Sequence, residues 1–128
     1  NMILFKKNQS VIAVVEQLIK HRISGGPVVD DKLRVIGVIS EGDCIKQISE
    51  SRYYNMPMED TSIEKYMTKE VDTISPDINL FDAAHEFLVS KRRRFPVVEN
   101  NKIVGIVSQK DILRTALYLK GSSWKYGD

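Results

Sequence analysis

The stretch Asn79–Leu117, NLFDAAHEFLVSKRRRFPVVENNKIVGIVSQKDILRTAL, decides how this chain folds. It can be laid on Ser10–Ile48, SVIAVVEQLIKHRISGGPVVDDKLRVIGVISEGDCIKQI, almost without a gap. Ser10 falls on Asn79, Leu18 on Phe87, Pro27 on Pro96 and Val28-Val29 on Val97-Val98. After a one-residue contraction in the turn, Gly37, Ser40 and Asp43 fall on Gly105, Ser108 and Asp111. Self-similarity of this kind marks a tandem duplication, so the fold adopted by one copy is expected in the other.

Each copy opens with a polar cap, Ser10 or Asn79, ahead of a helical stripe: Val11, Val14, Val15 and Leu18, or Leu80, Ala83, Ala84, Phe87 and Leu88. A β-branched run follows the proline, then a polar turn (DDK or ENNK), then RVIGVIS or IVGIVS, which predicts a hairpin. The lone glycine in each second strand suggests that something approaches the backbone there. Past each Ser-x-x-Asp the helical spacing returns, with Ile45 and Ile48 in one copy and Ile112, Leu113, Ala116 and Leu117 in the other. Short strands are predicted ahead of each copy, over Val71–Pro76 and in the corresponding MILFKK, Met2–Lys7. The expected order is β-α-β-β-α, twice.

A sheet this small cannot cover both of its faces, so an α+β fold is expected in which the two repeats pack sheet to sheet about a pseudo-twofold axis, with a cleft between them. The first repeat is assigned to residues 1–54, a linker to 55–69 and the second repeat to 70–122, together one module. Within the linker, SIEKYM is expected to form a helical turn capped by Ser62.

Composition excludes more than it assigns. A chain of 128 residues, 42% hydrophobic and 28% charged, suits one compact unit or two small halves, and a net charge of +2 does not by itself imply a polyanionic partner. Cys44 is the only cysteine, which rules out an internal disulfide or a Cys-x-x-Cys pair and fits a reducing cytoplasm. The apolar start NMILF is too short for a signal peptide, no membrane span is expected, and Asn1 ahead of Met2 reads as an added residue. His21 and His85 have no second ligand at metal spacing, so no metal site is expected.

The quoted motifs, with ISGGPVVD, VDTISPD and the YMTKEV before it, resemble a tandem pair of CBS (cystathionine β-synthase) domains, a Bateman module, over nearly the whole chain. The most specific part is the doubled Gly-x-x-Ser-x-x-Asp at fixed distance after Pro-Val-Val. The resemblance implies a regulatory module, not an enzyme, that takes an adenosine-containing ligand in the cleft between repeats: AMP, ADP, ATP or S-adenosylmethionine. It also implies a homodimer and a regulated protein partner in trans.

On that resemblance, Asp111 is assigned to the ribose and Ser108 to phosphate or the helix N-terminus. An ionised carboxylate only accepts hydrogen bonds and can receive both hydroxyls of a diol, while helix N–H groups favour an anion. The competing reading is a capping box in which Asp111 returns to the Ser108 N–H, and the two roles are compatible. Arg93 and Arg94 are placed at a phosphate, whose oxygens match guanidinium donors in pairs; a solvated helix end is the alternative. Thr73 corresponds to a family position near the ligand. Backbone beside Ile74 and the side chains of Val97 and Ile106 are assigned to adenine, though the apolar pair also suits a core.

Repeat 1 keeps Ser40 and Asp43 but has Ser24 and Gly25 in place of Arg93 and Arg94, and Leu4 in place of Thr73. Its site is therefore expected to be the weaker. An alternative function is a structural homodimerisation module with vestigial sites. A nucleic-acid partner is disfavoured, because Lys91–Arg94 and Lys110 come without a basic recognition helix or an aromatic platform.

Overall fold

A computed structural model describes residues 2–122; Asn1, read above as an added residue, lies outside this range. The chain divides into two compact units between Val71 and Asp72. The first holds α1 (Val11–His21), β1 (Gly25–Val29), β2 (Val35–Ser40), α2 (Glu41–Tyr54) and a 3-10 turn, Ile63–Lys65. The second holds α3 (Leu80–Ser90), β3 (Arg94–Glu99), β4 (Lys102–Ser108) and α4 (Gln109–Ser122). Among the described residues no helix is long and apolar enough to cross a membrane.

The duplication is visible atom by atom. Ser10 Oγ accepts the Ala13 N–H at 3.1 Å and Asn79 Oδ1 accepts the Asp82 N–H at 2.8 Å, so each opening helix begins on the polar side chain that the sequence places there. Each ends on a left-handed residue, Arg22 (φ 54°) or Lys91 (φ 58°), at equivalent positions. β1 and β2 pair antiparallel with Pro27 opposite Val38, and β3 and β4 pair with Pro96 opposite Ile106. The contraction in the turn has a direct cause. Asn100 and Asn101, at φ 53° and 64°, make a two-residue connection matched to strand twist. The first hairpin instead needs residues 30–34, held by Asp30 accepting the N–H groups of Lys32 and Arg34 at 2.9 Å.

The strands expected at Met2–Lys7 and Val71–Pro76 are reduced to one paired residue each. Phe5 donates to the Pro27 carbonyl and accepts from the Val29 N–H, both at 2.9 Å; Ile74 does the same between Pro96 and Val98 at 3.0 and 2.9 Å. Only these residues lie parallel to a strand, at Val28 and Val97. Neighbouring backbone in both segments is spent on turns: Gln9 N–H donates to Lys6 and Ile78 N–H to Ser75.

The first core is the larger. Phe5, Val11, Val14, Leu18, Val28, Ile39, Cys44, Ile63 and Met67 form one buried cluster, against Ile74, Phe87 and Phe95 in the second. In the latter, the rings of Phe87 and Phe95 meet at 4.7 Å and an angle of 60°, a favourable tilted arrangement. The difference comes from the segment expected to be a linker. Buried Gln47 donates to the Met56 carbonyl, turning the chain back after α2, and the segment then lies along its own repeat. Val11 N–H donates to Thr61, Ile63 N–H to Gln9, and Val38 and Thr68 exchange N–H bonds at 2.9 Å. Ser62, expected to cap this 3-10 turn, supplies no side-chain cap; its backbone instead bridges Ser10.

Helices α2 and α4 turn apolar side chains outward. Ile45 is 63% exposed, Leu113 67% and Leu117 70%, and Ile48 is exposed with them. Val15 is only half-buried and Leu88 is exposed, so the stripes that identified the opening helices are wider than the faces they bury.

Candidate functional site

In the second unit the hairpin delivers its ends to one place. Arg94 opens β3 directly across from Ser108, the last residue of β4, and the Gln109 N–H at the start of α4 donates to the Arg93 carbonyl at 3.2 Å. Strand becomes helix at Ser108, and Asp111 lies in the first turn of α4. Ser108 N–H donates to Asp111 Oδ2 at 2.7 Å, the Ser108 hydroxyl donates to the same oxygen at 3.0 Å, and Asp111 N–H donates back to Ser108 Oγ at 3.2 Å. The capping reading of Ser-x-x-Asp is therefore realised. It occupies Oδ2; Oδ1 lies 3.3 Å from Arg114 Nη1 at the surface.

Ile74, fixed against Val97 by its two backbone bonds, sets exposed Thr73 beside β3. Val97 faces Gly105 across the ladder and packs on the small core, so it also serves the apolar role read for it. From Arg94 to Val97 is three residues of strand, about 10 Å. A polar, cationic end at Arg94, Ser108 and Asp111 is thus separated from an apolar, backbone-rich patch at Ile74 and Val97 by about the length of a nucleoside. Arg93 is exposed and Arg94 half-buried. Arg92 is committed elsewhere: its Nε meets Asp72 Oδ2 at 3.1 Å, and its carbonyl accepts from Gln109 Nε2.

The first unit repeats the scaffold without the cations. Ser40 and Asp43 form a reciprocal capping box at 2.9 and 3.2 Å, and the Glu41 N–H donates to the Ser24 carbonyl at 2.9 Å as Gln109 does to Arg93. Gly25 stands opposite Ser40 where Arg94 stands opposite Ser108. The difference is more than a missing side chain, because a Cβ on Gly25 would lie 2.5 Å from the Ile39 carbonyl oxygen. The strands approach too closely there to admit one. Leu4, at the position of Thr73, is half-buried and offers no hydroxyl.

Other reactive side chains have structural settings. Cys44 is buried in the first core, and burial, with Asp43 and Glu41 nearby, pushes its thiol up to about 11. His21 and His85 are exposed, the former bonded to Gln17, and no group of three or more metal-ligating side chains occurs among the described residues. Tyr53 and Tyr54 are exposed, whereas Met58 packs against the first core. That core also claims Ile63 and Met67, and Thr61 is buried close by in sequence; their spacing carries no strong helical or strand period.

The model of the CBS domain family matches residues 1–50 and 63–118. CBSX1, a chloroplastic CBS domain-containing protein of Arabidopsis thaliana, is 31% identical over 91% of this chain and 60% of its own length. The chain spans 42–65% of the length of the curated relatives it first matches. Among solved structures, CBSX2 of Arabidopsis thaliana in complex with AMP superposes with a TM-score of 0.80 at 31% identity, covering 94% of this chain and 90% of that one. The CBS domain pair of protein MJ0100, in complex with 5-methylthioadenosine and S-adenosyl-L-methionine, gives a TM-score of 0.74 at 28% identity, covering 90% and 91%.

Proposed function

The chain belongs to the CBS-domain family, and we propose that it is a regulatory module sensing an adenosine-containing ligand, with the better site built on Asp111 of the second repeat. The carrying observation is the end of the second hairpin, where Arg94 is paired across from Ser108 and Asp111 holds the start of α4. In this reading Asp111 receives ribose hydroxyls, Ser108 and the opening N–H groups of α4 receive phosphate with Arg93 and Arg94, and Thr73, Ile74 and Val97 border the base. AMP in the CBSX2 complex and S-adenosyl-L-methionine in the MJ0100 complex support this ligand class. AMP, ADP and ATP are favoured over S-adenosylmethionine, because two adjacent arginines suit a phosphate chain better than a sulfonium.

Ligand binding acts by favouring one arrangement of the module over another, and by linkage a regulated protein must alter ligand affinity to the same degree. Calorimetric titration with AMP, ADP, ATP and S-adenosylmethionine tests the assignment. Arg94→Ala is expected to weaken the nucleotides more than adenosine, and equal losses for both would remove the phosphate role.

The second reading, a homodimer, rests on a separate observation: α2 and α4 expose Ile45, Ile48, Leu113 and Leu117. Apolar faces of this kind suit helix-to-helix self-association. Sedimentation of the wild type beside Leu117→Glu distinguishes this from a monomer. A purely structural module would show the same dimer and no heat with any of the four ligands.

A further inference from the structure

The two hairpin ends share a frame and carry different charges. In each, the first N–H of the closing helix donates to the residue before the hairpin, Glu41 to the Ser24 carbonyl at 2.9 Å and Gln109 to the Arg93 carbonyl at 3.2 Å. In each, the serine N–H donates to the aspartate carboxylate three residues on. On this common frame the second repeat has Arg93, Arg94 and Lys110 where the first has Ser24, Gly25 and Gly42, and neutral Gln109 where the first has Glu41. Three cations are thus missing from the first repeat and one anion is added. The cations common to both copies, Arg22 with Lys91 and Lys46 with Arg114, leave that contrast unchanged.

The start of a helix attracts negative charge through its exposed N–H groups. On α2 the protein supplies that charge itself, with Glu41 and Asp43 both in the first turn. A phosphate arriving there would stand beside two carboxylates, and like charges repel. On α4 the acidic residue of the first turn is Asp111, and Lys110 precedes it, so an incoming phosphate meets added positive potential. The first hairpin cannot regain a cation from its strand, because a side chain at Gly25 would begin with a Cβ 2.5 Å from the Ile39 carbonyl oxygen.

We propose that the Ser40–Asp43 end of the first hairpin takes a nucleoside without a 5′ phosphate, its 5′ group a thioether or a sulfonium, while the second repeat takes the phosphorylated ligand. This rests on the adenosine reading and deepens it, since the first site becomes one of different selectivity, not a weakened copy. Asp43 keeps the hydroxyl-accepting role given to Asp111. Glu41 disfavours a phosphate at the helix start and favours a positive sulfur.

The test is calorimetric titration of Asp111→Asn, in which the second site is disabled, with 5′-methylthioadenosine, S-adenosylmethionine and AMP. Saturation by the first two is expected, with AMP weaker by about tenfold or more. Adding Glu41→Gln and Gly42→Lys to this variant transfers the charges of the second repeat. A lysine fits at 42, where a Cβ would come no nearer than 3.7 Å to Ser40 Oγ. AMP is then expected to gain about tenfold, S-adenosylmethionine to weaken and 5′-methylthioadenosine to hold its affinity. Wild type saturated with labelled AMP supplies a check free of substitutions: it should still bind 5′-methylthioadenosine without releasing the label. AMP binding Asp111→Asn as tightly as 5′-methylthioadenosine overturns the inference, and so does an AMP affinity unmoved by the charge transfer. Failure of 5′-methylthioadenosine to saturate both Asp111→Asn and the AMP-loaded wild type by about 1 mM overturns it too. In each of these cases AMP binding by the wild type leaves the adenosine reading of the second repeat standing, whereas a wild type that binds none of the three compounds removes both.

Discussion

Asp111→Asn separates the two tasks of one carboxylate. Oδ2 receives the Ser108 N–H at 2.7 Å and its hydroxyl at 3.0 Å, which holds the start of α4. Oδ1 faces Arg114 at 3.3 Å in a pair whose side chains are 73% and 45% exposed. Exposed pairs of this kind contribute about 0–1 kcal/mol, so a ligand hydroxyl can displace the arginine at small cost. Asparagine retains one carbonyl oxygen for the cap but sets an NH2 where Oδ1 stood, and that donor cannot accept from a ribose hydroxyl. One charge-assisted hydrogen bond is worth about 1.5–3 kcal/mol. At about 1.4 kcal/mol per decade, its loss weakens binding roughly 10–100-fold. Stability should fall by less than the ~1 kcal/mol typical of a deleted cap. The measurements are a calorimetric Kd for AMP and a thermal melt on the same preparations, with Asp43→Asn as the comparison. Wild-type affinity in Asp111→Asn, or a larger loss in Asp43→Asn, would refute the reasoning that puts the better site in the second repeat.

Further outcomes follow from the burial and charge environment. Ile63 is fully buried in the first core, so Ile63→Ala is expected to cost about 2–5 kcal/mol in denaturant unfolding; a loss below about 1 kcal/mol, the level of ordinary surface changes, would show that the segment does not stabilise its repeat. Cys44, with its thiol raised to about 11, should react with an aromatic disulfide reagent at pH 8 far more slowly in the native protein than in denaturant. Equal rates would contradict its burial. Asp30, whose carboxyl is lowered chiefly by the Arg34 N–H, with the Arg34 side chain and Lys32 N–H adding to it, is more acidic folded than unfolded. Its contribution is thus complete above the ordinary carboxylate pKa and is lost as pH falls through its folded value. An Asp30 carboxyl titrating at or above that of an unfolded aspartate by NMR would contradict the turn geometry.

The repeat was legible because its periodicities are local. Helical stripes, a proline before each β-branched run and a polar cap before each helix are written within a few residues of where they act. The equivalence of Arg93 with Ser24 and Arg94 with Gly25, inferred from alignment, reappears in the pairing of Arg94 with Ser108 and of Gly25 with Ser40. The reciprocal caps were equally readable, since Ser-x-x-Asp encodes partners three residues apart. Less legible were features set by contacts distant in sequence. Nothing periodic in MEDTSIEKYMTK shows that Ile63 and Met67 are core residues or that Thr68 will pair with a strand thirty residues earlier.

By itself, then, the sequence determined the duplication, the order of elements in each copy and the residue types offered at the end of each hairpin, because those depend on side-chain period and nearest-neighbour chemistry. Only the tertiary structure decided that Gly37 has the Thr68 carbonyl against it, that the Gly25 position admits no side chain, and that the apolar residues of α2 and α4 are exposed. Each of these follows from which segments come together in space, and close packing makes that outcome depend on ångström-scale clearances that no local pattern encodes.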